Sequence, residues 1–140
     1  MAVTGKKRRR HFIRHPRWGG HVPSRTEELL GAFGYVGAIT TGPVLPLALY
    51  VSRRRMSAFV RWHAAQALNT ALTFALYLVC GAIAGFLLSL DTARAALEVM
   101  VPIAAIGWLI MVRHLVRAAF AADAGEFREI PAWICSPFVR

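Results

Sequence analysis

Acidic residues and cysteines are both scarce in this sequence. Only 7 of its 140 residues are Asp or Glu, and no carboxylates pair at the ends of apolar stretches, as acid–base catalysis would need. The 2 cysteines, Cys80 and Cys135, lack the Cys-x-x-Cys or Cys/His spacing of a metal site. Motifs of serine hydrolases, zinc hydrolases and phosphate loops are missing too. We therefore expect a protein that is not an enzyme and has neither cofactor nor metal.

Apolar residues, in contrast, are abundant. They make up 56% of the chain, whereas charged residues make up 17%, an apolar excess beyond that of a typical soluble domain. Strand-like alternation is missing, but three long apolar stretches occur at residues 29–51, 62–90 and 99–112. We therefore predict an all-α integral membrane protein with three apolar helical segments.

Charge and capping signals divide the chain into three parts. Residues 1–23 form a flexible basic arm, residues 24–126 a helical membrane domain, and residues 127–140 a short C-terminal tail. Ser24 and Glu27 are spaced as a capping box at the start of the first helix, and Gly125 is a suitable cap where the last helix ends. The arm, the membrane domain and the tail are thus expected to be distinct regions.

The first apolar segment is interrupted by Gly42-Pro43 and by Pro46. Proline removes a backbone hydrogen bond and clashes with the preceding turn, so the helix should break near Thr41. Each half is then shorter than the roughly 20 residues that span a hydrocarbon core. If this segment re-enters and only the second and third segments cross as a hairpin, 16 of the 17 Lys and Arg lie on one side. Both termini are then cytoplasmic by the positive-inside rule. A kinked helix that crosses fully is the alternative, and it leaves no charge bias.

Basic residues indicate contact with a negatively charged surface, because the formal net charge is +10. We expect anionic lipid headgroups as the main partner, with a nucleic acid or an acidic protein as a less favoured one. The basic residues expected to contact headgroups or to set topology are Lys6, Lys7, Arg8, Arg9, Arg10, Arg53, Arg54, Arg55, Arg113 and Arg117.

Polar side chains gather on one face of the second apolar segment, at about 100° per residue. In lipid such a face turns inward, since acyl chains offer polar groups no partners. Two roles remain open: hydrogen bonds between helices, or the lining of a path for a solute, proton or peptide. The residues of this face are His63, Gln66, Asn69, Thr70, Thr73 and Tyr77.

Small residues indicate where helices approach closely. Gly81 and Gly85 form a G-x-x-x-G pattern on the second segment, and Gly107 lies on a stripe of the third. The glycine pattern suits packing within one chain or a homodimer. The same stripe carries His114, which should approach His63 if the two spans are antiparallel.

Particular motifs resemble a family of small bacterial membrane proteins of unknown function. This family is related to the twenty-kilodalton membrane subunit of the chloroplast inner-envelope protein-import translocon. The matching pieces are Pro46 in a broken first helix, the basic turn, Ser57-Ala-Phe-Val-Arg-Trp-His-Ala-Ala-Gln-Ala-Leu-Asn69 and Ala122-Asp-Ala-Gly-Glu-Phe-Arg-Glu-Ile-Pro131. They cover residues 29–131. The resemblance implies a multi-pass helical protein of the bacterial plasma membrane, without supplying an activity.

The leading functional hypothesis is a noncatalytic membrane component that assembles with itself or with another membrane protein. It would assist protein transport or envelope organisation. The alternative is a small channel or carrier that uses the polar face of the second helix.

Overall fold

The computed structural model describes residues 22–52, 57–88 and 93–139. All the regular secondary structure in these residues consists of four α-helices. They are α1 (Arg25–Thr41), α2 (Val44–Ser52), α3 (Ala58–Leu88) and α4 (Ala93–Asp123). The expected all-helical fold is confirmed. The predictions for Lys6 to Arg10, for the rest of the arm up to residue 21, and for Arg53 to Arg55 lie outside the described residues.

The first helix begins at the predicted capping box. The Ser24 hydroxyl accepts from the Glu27 amide at 3.3 Å, and the Ser24 amide donates to the Glu27 carboxylate at 2.7 Å. These two bonds satisfy backbone donors that the first turn leaves unpaired. The local sequence therefore determines where α1 starts.

The predicted break after Thr41 is also present. Gly42 has φ 62°, a conformation that L side chains rarely adopt, and Pro43 follows it. The broken segment divides unequally, however, into helices of 17 and 9 residues rather than two similar halves. Proline disfavours the helical conformation at the residue before it, which here is Gly42. The backbone N–H that is missing is that of Pro43 itself, so α1 can continue as far as Thr41.

The chain reverses direction at this break. Leu45, near the start of α2, faces Gly37, and Leu49, one turn later, faces Gly34, one turn earlier in α1. A Cβ atom at Gly37 would lie 2.8 Å from the Cβ atom of Leu45, closer than real contacts allow. Because Gly37 has no side chain, α1 and α2 can pack side by side.

The two long helices, α3 and α4, also run in opposite directions. Gly107 faces Phe74, whereas Gly81, two turns further along α3, faces Met100, two turns earlier in α4. Each helix has 31 residues, hence a length of about 46 Å, against about 30 Å for a hydrocarbon core. Ala58–Leu87 and Leu97–Asp123 are long and apolar enough to cross a membrane, yet only 22% and 11% of their most apolar windows are buried. They therefore do not resemble the enclosed helices of a soluble core.

The buried core occupies one end of the α3–α4 pair. There α1 packs parallel to the first half of α3, where Gly31 lies against Phe59. It packs antiparallel to the last half of α4, where Gly31 lies against Ala122. At the other end, residues 75–87 and 97–110 are exposed or half-buried, and they are largely apolar. The core consists of Tyr35, Ala38, Ala67, Ala71, Met111, Leu115, Ala118, Ala122, Ile130 and Ile134.

The last helix ends as the position of Gly125 predicts. Gly125 has φ 74°, its amide donates to Ala122, and the Glu126 amide donates to Ala121 at 2.8 Å. This bonding pattern is a Schellman motif, which turns the chain sharply back along the helix. It directs the C-terminal tail onto the bundle, where Ile130 and Ile134 are buried.

Candidate functional site: a buried polar cluster beside an apolar groove

The polar face predicted on the second apolar segment is largely enclosed. His63, Gln66, Asn69, Thr70 and Thr73 are all buried in α3, between α1, α4 and the C-terminal tail. Tyr77 is different, since 54% of it is exposed. The change from buried to exposed occurs where α1 no longer covers α3.

Tyr35 of α1, which no sequence motif predicted, joins two of these residues. Its hydroxyl donates to Gln66 Oε1 at 2.6 Å and lies 2.9 Å from His63 Nδ1. Because the hydroxyl has one proton, and that proton points to Gln66, the Nδ1–H of His63 must donate to the tyrosine oxygen. Tyr35 and His63 are both 0% exposed, so this polar network is sealed from solvent.

Aromatic rings surround the other side of His63. The Phe59 and Trp62 rings contact it edge-on, with centroids 4.4 and 4.7 Å away, and Phe127 stacks on it at 5.7 Å. Among the described residues, its Nε2 atom has no hydrogen-bond partner. Since the Nδ1–H group donates to Tyr35, the lone pair of Nε2 faces the surrounding aromatic rings. The imidazole is thus enclosed there as part of the packing between α1, α3 and the tail.

The close approach of α1 to this cluster depends on Gly31. A Cβ atom added at Gly31 would lie 3.2 Å from Phe59 and 3.3 Å from the His63 ring, tighter than most real contacts. At the same end, Arg25 joins α1 to α4, with its guanidinium 2.8 Å from Asp123 and 3.2 Å from Glu28. The Arg25 side chain is exposed, so this ion pair contributes only modestly to stability.

The remaining polar side chains of α3 bind the C-terminal tail. The Asn69 amide makes two hydrogen bonds to the backbone of Val139, one donated at 2.9 Å and one accepted at 2.8 Å. Further along, the Ser136 amide donates to the Thr73 hydroxyl at 3.0 Å, and the Tyr77 hydroxyl donates to the Trp133 carbonyl at 2.7 Å. Buried polar groups thus find backbone partners that lipid cannot offer.

Sequence reasoning missed this docking of the tail. The signal that could have found it is the isoleucine pair Ile130 and Ile134, spaced for one face of a helical turn in the segment predicted only as a short C-terminal tail. Cys135 belongs to the same contact, with its thiol 3.5 Å from the Gln66 carbonyl. Burial raises the pKa of the Cys135 thiol.

The predicted packing glycines lie between α3 and α4 of the same chain. A Cβ atom at Gly81 would be 2.8 Å from the end of Met100, one at Gly85 would be 3.4 Å from the same side chain, and one at Gly107 would be 3.6 Å from Phe74. The glycine pattern therefore contributes to packing within the chain. Beside this contact runs an apolar groove of about 670 Å³, which we call the α3–α4 groove.

Residues 26–139 match the model of the magnetosome magnetite crystal formation protein family. The chain belongs to this family. No curated protein and no solved structure gives a match.

Membership of the magnetosome magnetite crystal formation protein family confirms the expectation of a small bacterial membrane protein family. The kinship with the plastid translocon subunit has no support from this match and stays a prediction. In this family member, the match extends from the first turn of α1 to the docked tail, so it includes both the polar cluster and the groove. The basic arm lies outside the match.

Other predicted residues of this family member occupy separate places. Arg113 and Arg117 are exposed on α4, one turn apart, near the end that carries the tail. His114 contacts the Trp133 ring, with centroids 6.2 Å apart, whereas the His63 ring is enclosed by α1 and three aromatic side chains. The two histidines therefore have different neighbours, although they are on facing helices.

Proposed function

We propose that this chain is a noncatalytic accessory component of a magnetosome membrane that assists magnetite crystal formation. The family match supports the process, because the family is named for it. The observation that carries the accessory role is the enclosure of the polar face. His63, Gln66, Asn69 and Thr73 hydrogen-bond to α1 and to the tail, which leaves the exposed half of α3 and α4 apolar.

The same hydrogen bonds favour a packing role over a carrier role. A path for a solute or proton needs polar side chains that reach water along the length of a helix. Here the Tyr35 hydroxyl and the Val139 backbone occupy the hydrogen-bonding groups of Gln66 and Asn69. Since acyl chains cannot replace these partners, breaking them would be costly.

For the topology, we propose that α3 and α4 cross as a hairpin while α1 and α2 dip into the membrane and return. Support comes from the contacts between α1 and α2, which bring Ser24 and Ser52 back toward the end where α3 begins. The distribution of Lys and Arg agrees, because Arg94 is then the only one on the opposite side. Both termini would be cytoplasmic, and Arg94 would face the magnetosome interior.

Single-cysteine labelling tests this topology in a chain whose Cys80 and Cys135 are replaced by alanine. With sealed inside-out vesicles, a membrane-impermeant maleimide should label Ser24→Cys and Ser52→Cys, whereas Arg94→Cys should react only after permeabilisation. If α1 and α2 together cross the membrane once, Ser52→Cys will instead react on the side opposite Ser24→Cys. That result would rule out the re-entrant arrangement.

The functional test is removal of the gene from the magnetite-forming cell and restoration with the full chain. An accessory role predicts that crystal size or number changes, by electron microscopy, while the iron accumulated per cell stays the same. Loss of accumulated iron together with loss of crystals would instead indicate a carrier. Unchanged crystals would contradict the proposed function altogether.

A further inference from the structure

Three arginines gather at the tail end of the α3–α4 groove. Arg113 and Arg117 lie one turn apart on α4, on either side of His114 in sequence, and Arg128 lies in the tail, whose Trp133 ring contacts His114. All three are exposed, and within residues 22–52, 57–88 and 93–139 none of them has a salt-bridge partner. We call Arg113, Arg117 and Arg128 the arginine cluster.

The groove meets this cluster through Trp133. The Trp133 side chain contacts His114, and the same residue lines the groove together with Met111, one turn before His114 on α4. Along the flank of the groove, Ile103 and Ile110 are followed seven residues later by Arg117, which places all three on one side of α4. Arg117 therefore continues the line of Ile103 and Ile110 beyond the point where the apolar lining of the groove ends.

The groove has the dimensions and chemistry of a site for an acyl chain. Its lining on α4 runs from Leu97 to Met111, a rise of about 21 Å, and half of a hydrocarbon core is about 15 Å thick. Its volume of about 670 Å³ is typical of ligand sites, which range over about 300–1,000 Å³. The lining hydroxyls of Thr73 and Tyr77 already donate to backbone carbonyls. An apolar occupant suits these walls.

From these features we propose that the α3–α4 groove and the arginine cluster together form a binding site for an anionic phospholipid. One acyl chain lies in the groove, and the phosphate accepts hydrogen bonds from the guanidinium groups, which bind phosphate through paired N–H donors. Trp133 lies between the two parts, since it lines the groove and contacts His114, and indole rings are common at the interfaces of membrane proteins. This site adjoins the buried polar cluster at Thr73, and the proposal does not depend on the role in crystal formation.

Lipid binding is measured by native mass spectrometry of the full chain in detergent micelles. Phosphatidylglycerol and phosphatidylcholine with identical acyl chains are titrated separately. The intact protein should prefer phosphatidylglycerol. Arg113→Gln with Arg117→Gln should weaken phosphatidylglycerol binding about 25-fold, about fivefold per arginine. Phosphatidylcholine binding should weaken less, because the choline cation offsets the charge of its phosphate. Arg94→Gln, which removes a cation from the far end of α4, is the matched control and should have no effect.

A second variant tests the groove itself. Ala82 lines the groove but is exposed, so Ala82→Phe fills part of the groove without displacing core residues. It should weaken the binding of both lipids and keep their ratio. Thermal unfolding in detergent without added lipid should match that of the unmodified chain, which shows that both variants fold.

Several results would overturn the proposal. Equal binding of the two lipids would remove the role of the arginine cluster. Competition by inorganic phosphate at the same concentration, or full phosphatidylglycerol binding by Ala82→Phe, would indicate a simple anion site that does not use the groove. If Ala82→Phe instead turned an oligomer into a monomer and left lipid binding intact, the groove would be an interface between copies of the chain.

Discussion

Replacing Tyr35 with phenylalanine tests whether the buried polar cluster stabilises the bundle. The change keeps the ring, which is 0% exposed, and removes only the oxygen that bonds to Gln66 and His63. Two buried polar groups then lose their partner. Unsatisfied groups cost about 1–3 kcal/mol each in soluble proteins, but hydrogen bonds between membrane helices average about 0.6 kcal/mol. We therefore expect Tyr35→Phe to lower the free energy of unfolding by about 1–3 kcal/mol in total.

The assay is unfolding by sodium dodecyl sulfate in mixed micelles, followed by circular dichroism. Tyr77→Phe is the matched control, since it removes a hydroxyl bond from a residue that is 54% exposed, and it should cost under about 1 kcal/mol. Combined with Gln66→Leu, the tyrosine change should cost at least about 0.5 kcal/mol less than the sum of the two single changes. Equal effects of the two tyrosine changes, or strict additivity with Gln66→Leu, would refute the reasoning.

Further predictions concern the helix turn and the docked tail. Gly37→Ala should destabilise the chain in the same unfolding assay, because its Cβ atom would collide with α2, whereas Gly34→Ala, with 3.6 Å to the nearest side chain atom, should be tolerated; equal effects would contradict the close α1–α2 packing. Asn69→Leu removes both bonds to the end of the tail, so amide hydrogen exchange should rise across residues 127–139 and stay unchanged in the middle of α4; unaltered exchange in the tail would mean that apolar packing alone holds it. With Cys80 replaced by alanine, Cys135 should react with iodoacetamide more slowly than a free peptide thiol at pH 8, because burial raises its pKa and lowers its thiolate fraction. Its reaction rate should keep rising above the ordinary thiol pKa and should increase in Asn69→Leu; a rate equal to that of the peptide would contradict its burial.

Helix boundaries could be predicted because their signals are local. The Ser24 and Glu27 box, the Gly42-Pro43 break and the Gly125 cap each depend on backbone donors, acceptors and φ angles within a few residues. Neighbouring sequence is enough to specify such features. The position of the polar face on α3 was predictable for a similar reason, since helical periodicity alone places those residues together.

Partners across the bundle could not be predicted in the same way. Tyr35 lies 28 residues from His63 in sequence, and Val139 lies 70 residues from Asn69, so no local pattern links either pair. Whether the polar face of α3 packs against other elements or lines a transport path depends on these distant partners. Glu28 is a further case, since a carboxylate in the first turn of a helix usually faces solvent, yet it is only 3% exposed beside the Gly125 turn.

The sequence by itself determined that this protein is helical, rich in apolar residues, strongly basic, and broken after its first helix. These properties follow from composition, periodicity and local backbone chemistry, which act before any distant segments meet. Only the tertiary structure decided that α1 and the tail enclose the polar face, that Gly81 and Gly85 pack against Met100 of the same chain, and that Trp133 of the tail lines the groove and contacts His114. Those contacts join residues distant in sequence, and their formation depends on how all four helices and the tail fit together at once.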